Sequence, residues 1–189
     1  SVFSDKKIES IILSIMAGIT LGRLSDSFPD AQNVIRSMPN TPGQIGEGIT
    51  GFVFLNSPNQ SEHRLVTNIL SSLGESFELK SEEDIDRITA ISGSGPAYLF
   101  EFTCALECAA KEIGLPEKLA NKFALQTVTG ASKLLAVSGL HPEELRDQVT
   151  SPKGTTQAAL ESLEKNNLRK IVQDAVEAAK ARSIELSNA

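Results

Sequence analysis

The sequence predicts an α/β layer followed by an all-α domain, and three observations carry that expectation. Over residues 1–90, short β-branched runs alternate with helical stretches, the pattern of strands covered by helices. From residue 91 onward, apolar residues recur at spacings of 3 and 4, the stripe of amphipathic helices. The chain has 189 residues, 40% hydrophobic and 22% charged, which is enough apolar side chain for one domain or two small ones.

In the first half, residues 10–15, 33–37, 51–55 and 76–79 read as strands. Ile8, Ile11, Ile12, Ile15 and Ile19 would also fit a helical stripe, but the isoleucine-rich run followed by Gly18 favours a strand over 10–15. Residues 61–73 carry Leu65, Val66, Ile69, Leu70 and Leu73 on one helical face, and Gly74 stands where a C′ glycine would close it.

In the second half, Pro96 stands in the first turn of a helix over 97–113, with Leu99, Phe102, Leu106, Ala109 and Ile113 as its seam. Gly114 and Pro116 end it and start a second helix over 118–138, which stops at Gly139. Pro142 opens a third through residue 149. A loop over 150–156 leads to a fourth helix, about 157–164, and Asn166 and Asn167 separate it from the last. Small residues along the long seams (Ala105, Ala109, Ala124, Gly130, Ala131) permit close helix approach. A seam this long suits packing against a second copy of the chain.

Charge and composition exclude several classes. The net charge is −6 and there is no basic face for duplex nucleic acid. The apolar stretch over 11–19 is interrupted by Ser14 and Gly18 and is too short to span a bilayer. No basic run precedes it and no small-residue cleavage site follows, so no signal peptide is expected. Cys104 and Cys108, four apart on one helical face, are poorly placed for a disulfide. With only His63 and His141 besides, no metal site is expected, and a reduced, cytoplasmic setting is the simplest reading. Glu82, Glu83, Asp84 and Asp86 read as a solvated acidic segment.

Three loops hold polar groups suited to chemistry. Met38-Pro39-Asn40-Thr41-Pro42 follows a strand, at the edge where open α/β sheets bind ligands. Ser92-Gly93-Ser94-Gly95-Pro96 leads into a helix N-terminus, whose N–H groups and dipole favour an anion or an amide oxygen. It is not a dinucleotide fingerprint, because the last glycine is absent and no βαβ unit follows. Thr150-Ser151-Pro152-Lys153-Gly154-Thr155-Thr156 gathers four hydroxyls before a helix, with Thr155 or Thr156 as its expected N-cap. Such a loop would suit a small carboxylate. No Ser/His/Asp set or activated thiol accompanies it, so nucleophilic catalysis is not expected.

The three loops in this order resemble the Δ1-pyrroline-5-carboxylate reductase family. The matching stretches are VIRSMPNTP at residues 34–42, ISGSGPAYLF at 91–100 and LRDQVTSPKGTTQAALESL at 145–163, and the likeness runs over essentially the whole chain. It implies a partial Rossmann-type domain over residues 1–90, the C-terminal portion of an NAD(P)-binding domain. An all-α dimerisation and substrate-binding domain over 91–189 follows. By the same resemblance, this sequence joins the nucleotide domain late, after the family's Gly-rich phosphate turn. Ser1 in place of Met agrees with that, and a catalytically incomplete dimerisation fragment is the alternative function. Lys153 stands where relatives commonly have glycine, a costly choice if the position needs positive φ.

The implied reaction is reduction of 1-pyrroline-5-carboxylate to L-proline by NADPH or NADH. Thr156 is implied as the catalytic hydroxyl near the ring nitrogen or carboxylate, with Ser151, Gly154 and Thr155 as carboxylate-binding partners. Met38, Pro39 and Asn40 are implied at the nicotinamide end, and Ser94, Gly95 and Pro96 as closing the cofactor site. The implied assembly is a homodimer or a larger ring of dimers, with no nucleic acid and no membrane. A β-hydroxyacid dehydrogenase would need a catalytic lysine on a long helix, and nothing singles out Lys111 or Lys133 for that role.

Overall fold

The computed structural model describes residues 10–188; Ser1, Ile8 and Ala189 fall outside the described residues. Four strands form one mixed sheet in the order β1 (Ile11–Ser14), β2 (Asn33–Met38), β3 (Gly48–Phe54), β4 (Gly74–Glu78). β1 and β2 are parallel with Ser14 opposite Arg36, β2 and β3 antiparallel, and β3 and β4 parallel. The isoleucine-rich run of β1 is therefore a strand, and its β-branched side chains suit a pleated surface.

Each face of the sheet buries its own cluster. Leu21, Leu24, Val34, Val53 and Ile85 form one; Ile35, Phe52, Phe54, Val66 and Leu70 form the other. Alternation along β2 sends Val34 and Ile35 to opposite clusters. The helix α2 (Gln60–Leu70) supplies Val66 and Leu70. It starts in a full capping box: Asn59 Oδ1 accepts from the Ser61 and Glu62 N–H groups, and Glu62 accepts the Asn59 N–H.

Several expectations change here. Two short helices, α1 (Leu21–Ser27) and α3 (Glu83–Ile88), flank the sheet where none was foreseen. Gly74 is not a left-handed helix cap. It sits at φ +131°, ψ −139°, at the start of β4, and a Cβ there would lie 2.1 Å from the Gly48 carbonyl oxygen. The glycine serves close approach of two backbones. The acidic segment is not simply solvated either. Arg36, 2% exposed, donates to Glu82 at 2.9 Å and to Asp86 at 3.4 Å. Glu82 also caps α1 by accepting the Leu21 N–H at 2.8 Å. A buried guanidinium needs such partners, and the first turns of α3 provide them.

From residue 83 the chain is nearly continuous helix: α3, a π turn over Thr89–Gly93, then α4 (Gly95–Glu112). α5 (Glu117–Ser138), α6 (Pro142–Gln148), α7 (Thr155–Lys165) and α8 (Leu168–Asn188) follow. The chain divides into two compact units. One runs to Pro96 and takes in the chain from Ala175; the other is Ala97–Asp174. Among the described residues, no helix is long and apolar enough to cross a membrane.

Candidate active site

Parallel pairing makes β1 and β2 end on the same edge of the sheet. Two turns leave that edge. After β1, buried Ser14 organises the first: its hydroxyl accepts the Met16 N–H at 3.2 Å, and its carbonyl accepts the Ser37 hydroxyl at 2.8 Å. Ile15 and Met16 stay exposed on this turn, which the sequence reading did not single out. The sequence holds a partial signal, a serine ending the isoleucine-rich run with Gly18 four residues on; the burial of Ser14 and the φ of +74° at Gly18 come from the fold. β2 ends at Met38, and Pro39-Asn40 follow. Asn40 Oδ1 accepts the Ile49 N–H at 3.0 Å, so this side chain fixes its own turn against β3. Met38 packs on the sheet cluster, and a Cβ on Gly93 would lie 2.9 Å from its terminal methyl.

The segment over residues 92–96 differs from the open loop expected. Ser94 has right-handed helical backbone and donates its N–H to the Thr89 carbonyl at 2.8 Å, while the Ser92 hydroxyl bonds the Ile88 carbonyl at 3.0 Å. The Ser94 N–H is thus spent inside the π turn and does not face a ligand. Gly95 has open space beside it and Pro96 is half-buried. Met38, Pro39, Asn40, Ser94, Gly95 and Pro96 all lie in the α/β unit.

Ser151, Gly154, Thr155 and Thr156 lie in the helical unit, and α7 begins two residues earlier than expected. Its N-cap is Gly154, not Thr155 or Thr156. Glycine suits that position, since a Cβ at 154 would lie 2.4 Å from Ser151 Oγ and 3.0 Å from the Ser151 carbonyl oxygen. Thr150 turns its hydroxyl back to the Arg146 carbonyl at 2.6 Å, so it belongs to the end of α6. Lys153 adopts φ +62°, and its N–H donates to Gln157 Oε1 at 2.7 Å. No side chain caps α7. Its first-turn N–H groups are left to solvent or ligand, beside the hydroxyls of Ser151, Thr155 and Thr156. A glycine cap, a helix dipole and three hydroxyls suit a small carboxylate.

Residues 82–186 match the family model described as pyrroline-5-carboxylate reductase dimerisation. The chain belongs to the pyrroline-5-carboxylate reductase family. It is 38% identical over 181 residues to the pyrroline-5-carboxylate reductase of Pseudomonas aeruginosa, covering 96% of this chain and 66% of that protein. It is 40% identical to that of Synechocystis, covering 93% and 65%. The chain therefore spans slightly less than two thirds of these relatives' length. Among solved structures, a pyrroline-5-carboxylate reductase from Coxiella burnetii superposes with TM-score 0.87 at 35% identity, over 98% of this chain and 68% of the other. The Plasmodium falciparum pyrroline carboxylate reductase, solved with NADP bound, gives 0.84 at 34% identity, over 94% and 71%. The fold is that of the family, a Rossmann-like sheet followed by helices.

Proposed function

We propose that this protein serves the reduction of 1-pyrroline-5-carboxylate to L-proline with NADPH or NADH. The observation that carries the reading is the uncapped start of α7, where Gly154 leaves the first-turn N–H groups open among the hydroxyls of Ser151, Thr155 and Thr156. The substrate's carboxylate is the anion it suits. In the reaction, hydride from nicotinamide C4 forms the new C–H bond at the imine carbon. The C=N π electrons pass to the ring nitrogen, which ends as the amine. A protonated imine is already electrophilic, so the protein's work is orientation and proton donation. Thr156, half-buried in the first turn, is the hydroxyl assigned to the ring nitrogen or carboxylate. Met38, Pro39 and Asn40 form the edge assigned to the nicotinamide, with Ser94, Gly95 and Pro96 following the glycine that packs on Met38.

The working form is a homodimer, a reading supported by the dimerisation model and by the exposed apolar seams of α4 and α5. A reduced, cytoplasmic setting suits the two exposed free thiols, Cys104 and Cys108. In a protein that carries the family's whole nucleotide domain, Thr156→Ala lowers kcat/KM for the imine acid about 10–100-fold, the loss of one hydrogen bond to a charged group, and leaves NADPH affinity nearly unchanged. Unchanged kinetics would assign the role to another hydroxyl. A second reading, a dimerisation module without turnover, is supported by the match of residues 82–186 to the dimerisation model. NADPH oxidation dependent on the imine acid, followed at 189 residues, excludes it.

A further inference from the structure

The last turns of α8 belong to the α/β unit and meet it through the Ser183 and Ser187 side chains and the base of Leu186. Ser183, 6% exposed, donates its hydroxyl to Asp86 Oδ1 at 2.7 Å. Arg36 Nη2 meets the same oxygen at 3.4 Å. Ser187 bridges the pair: its hydroxyl oxygen accepts from Arg36 Nη2 at 3.2 Å, and its proton lies toward Asp86 Oδ1 at 3.4 Å. Between these serines, Leu186 presses on the turn that follows β1. A Cβ on Gly18 would stand 2.9 Å from Leu186 Cβ and 3.1 Å from its carbonyl oxygen, so only glycine fits.

Serine is a mediocre helix former, and two of them facing inward in one helix end add little apolar burial. Hydrogen bonds add something burial does not. They fix axial position and rotation, because donors and acceptors must meet at set distances and angles. An apolar contact in their place would tolerate sliding. Both strands held by this helix end run to the edge assigned to the cofactor. Arg36 lies two residues before Met38, and Gly18 closes the turn that carries Ile15 and Met16.

We infer that Ser183 and Ser187 are positioning residues. Their clasp on Asp86 and Arg36 seats Leu186 against Gly18, and so holds the Ser14–Gly18 turn at the cofactor edge. The inference rests on the cofactor reading above for its functional meaning, and on the geometry alone for the clasp itself.

Hydrogen exchange on the protein and on Ser183→Ala/Ser187→Ala tests it. Amides over residues 15–18 and 183–188 exchange about 10-fold faster in the variant, while β3 amides keep their wild-type rates. The NADPH dissociation constant rises about 3–10-fold. Unchanged exchange over 15–18 overturns the inference, because the turn then stands without the clasp. Equal acceleration in β3 also overturns it, because the serines then only stabilise the fold. Unaltered NADPH affinity despite a loosened turn overturns the positioning role. Where the wild-type protein binds NADPH too weakly to measure, the exchange pattern alone decides the clasp. Ser187→Ala alone, which keeps the 2.7 Å bond from Ser183, gives a smaller change in the same amides.

Discussion

The two units solve the problem of burying apolar surface in different ways. The α/β unit closes over its own core: Val34, Ile35, Phe52, Val66, Leu70 and Ile85 are each at most 2% exposed. In the helical unit, every residue of α6 and α7 keeps some exposure, as do the residues of α4, and only Ala120 and Ala124 of α5 are buried. Large apolar side chains remain open there, with Phe100 62%, Phe123 59% and Leu134 53% exposed. A helix seam of that kind suits the proposed dimer, since obligate interfaces resemble a domain core cut in half. The difference shows that the first unit covers its apolar core within the chain, while the second leaves its apolar seam open, as the proposed dimer would require.

The sharpest way to break this comparison is to charge one seam and hollow the other core. Leu99→Glu with Phe102→Glu places two carboxylates on the α4 seam and splits the dimer, halving the mass by light scattering, because an unpaired buried charge costs several kcal/mol. A variant that keeps the dimeric mass would remove α4 from the interface. Ile35→Ala, at a fully buried position, costs about 2–5 kcal/mol and leaves the oligomeric state intact. Dissociation by Ile35→Ala would erase the distinction between the units.

What the sequence revealed divides along the same line. β1, β2 and the five helices of the second half were legible, because β-branched runs and 3–4 spacing are local signals. α1 was not, since its buried face is only Leu21 and Leu24. α3 was masked by its own charge. Asp86 turns inward to meet Arg36, fifty residues earlier in the chain, and no local pattern announces such a pair. The candidate site shows the same limit. Residue types marked the loops at 38–40 and 151–156. Only the three-dimensional backbone shows that Gly154, not a threonine, caps α7, and that the Ser94 N–H is spent within a π turn.

A smaller effect lies at Lys153, where φ is +62°. A left-handed backbone costs a side-chain-bearing residue roughly 1–2 kcal/mol, and glycine gives part of that back as extra unfolded-state entropy. The hydrogen bond to Gln157 comes from the backbone N–H and survives the change. Lys153→Gly therefore raises stability by about 0.5 kcal/mol, read as about 1–2 °C in Tm. A fall in Tm would mean that the lysine side chain contributes more than its backbone loses. The helical unit gains stability within the chain in this way.

The smallest effect is electrostatic and belongs to the same unit. Glu107 on α4 pairs with Lys111 at 2.7 Å and accepts from Asn121 of α5 at 2.9 Å. The hydrogen bond from Lys111, then that from Asn121, holds the Glu107 carboxyl below the usual carboxylate range; Glu107 in turn raises Lys111. A carboxyl whose folded pKa is depressed stabilises the fold above its unfolded value, about 4.3, and loses that contribution as pH falls through the lower folded value. Lys111 works in the opposite sense. Its contribution is complete below the unfolded lysine value, about 10.4, and is lost as pH rises through the raised folded one. The pair is solvent-accessible, so the effect is small and weakens with salt. Wild type minus Glu107→Gln, compared by Tm across pH, gives a flat advantage from about pH 6 to 9 that fades on both sides. An advantage that persisted at pH 3 would show that Glu107 holds α4 to α5 through packing and not through its charge.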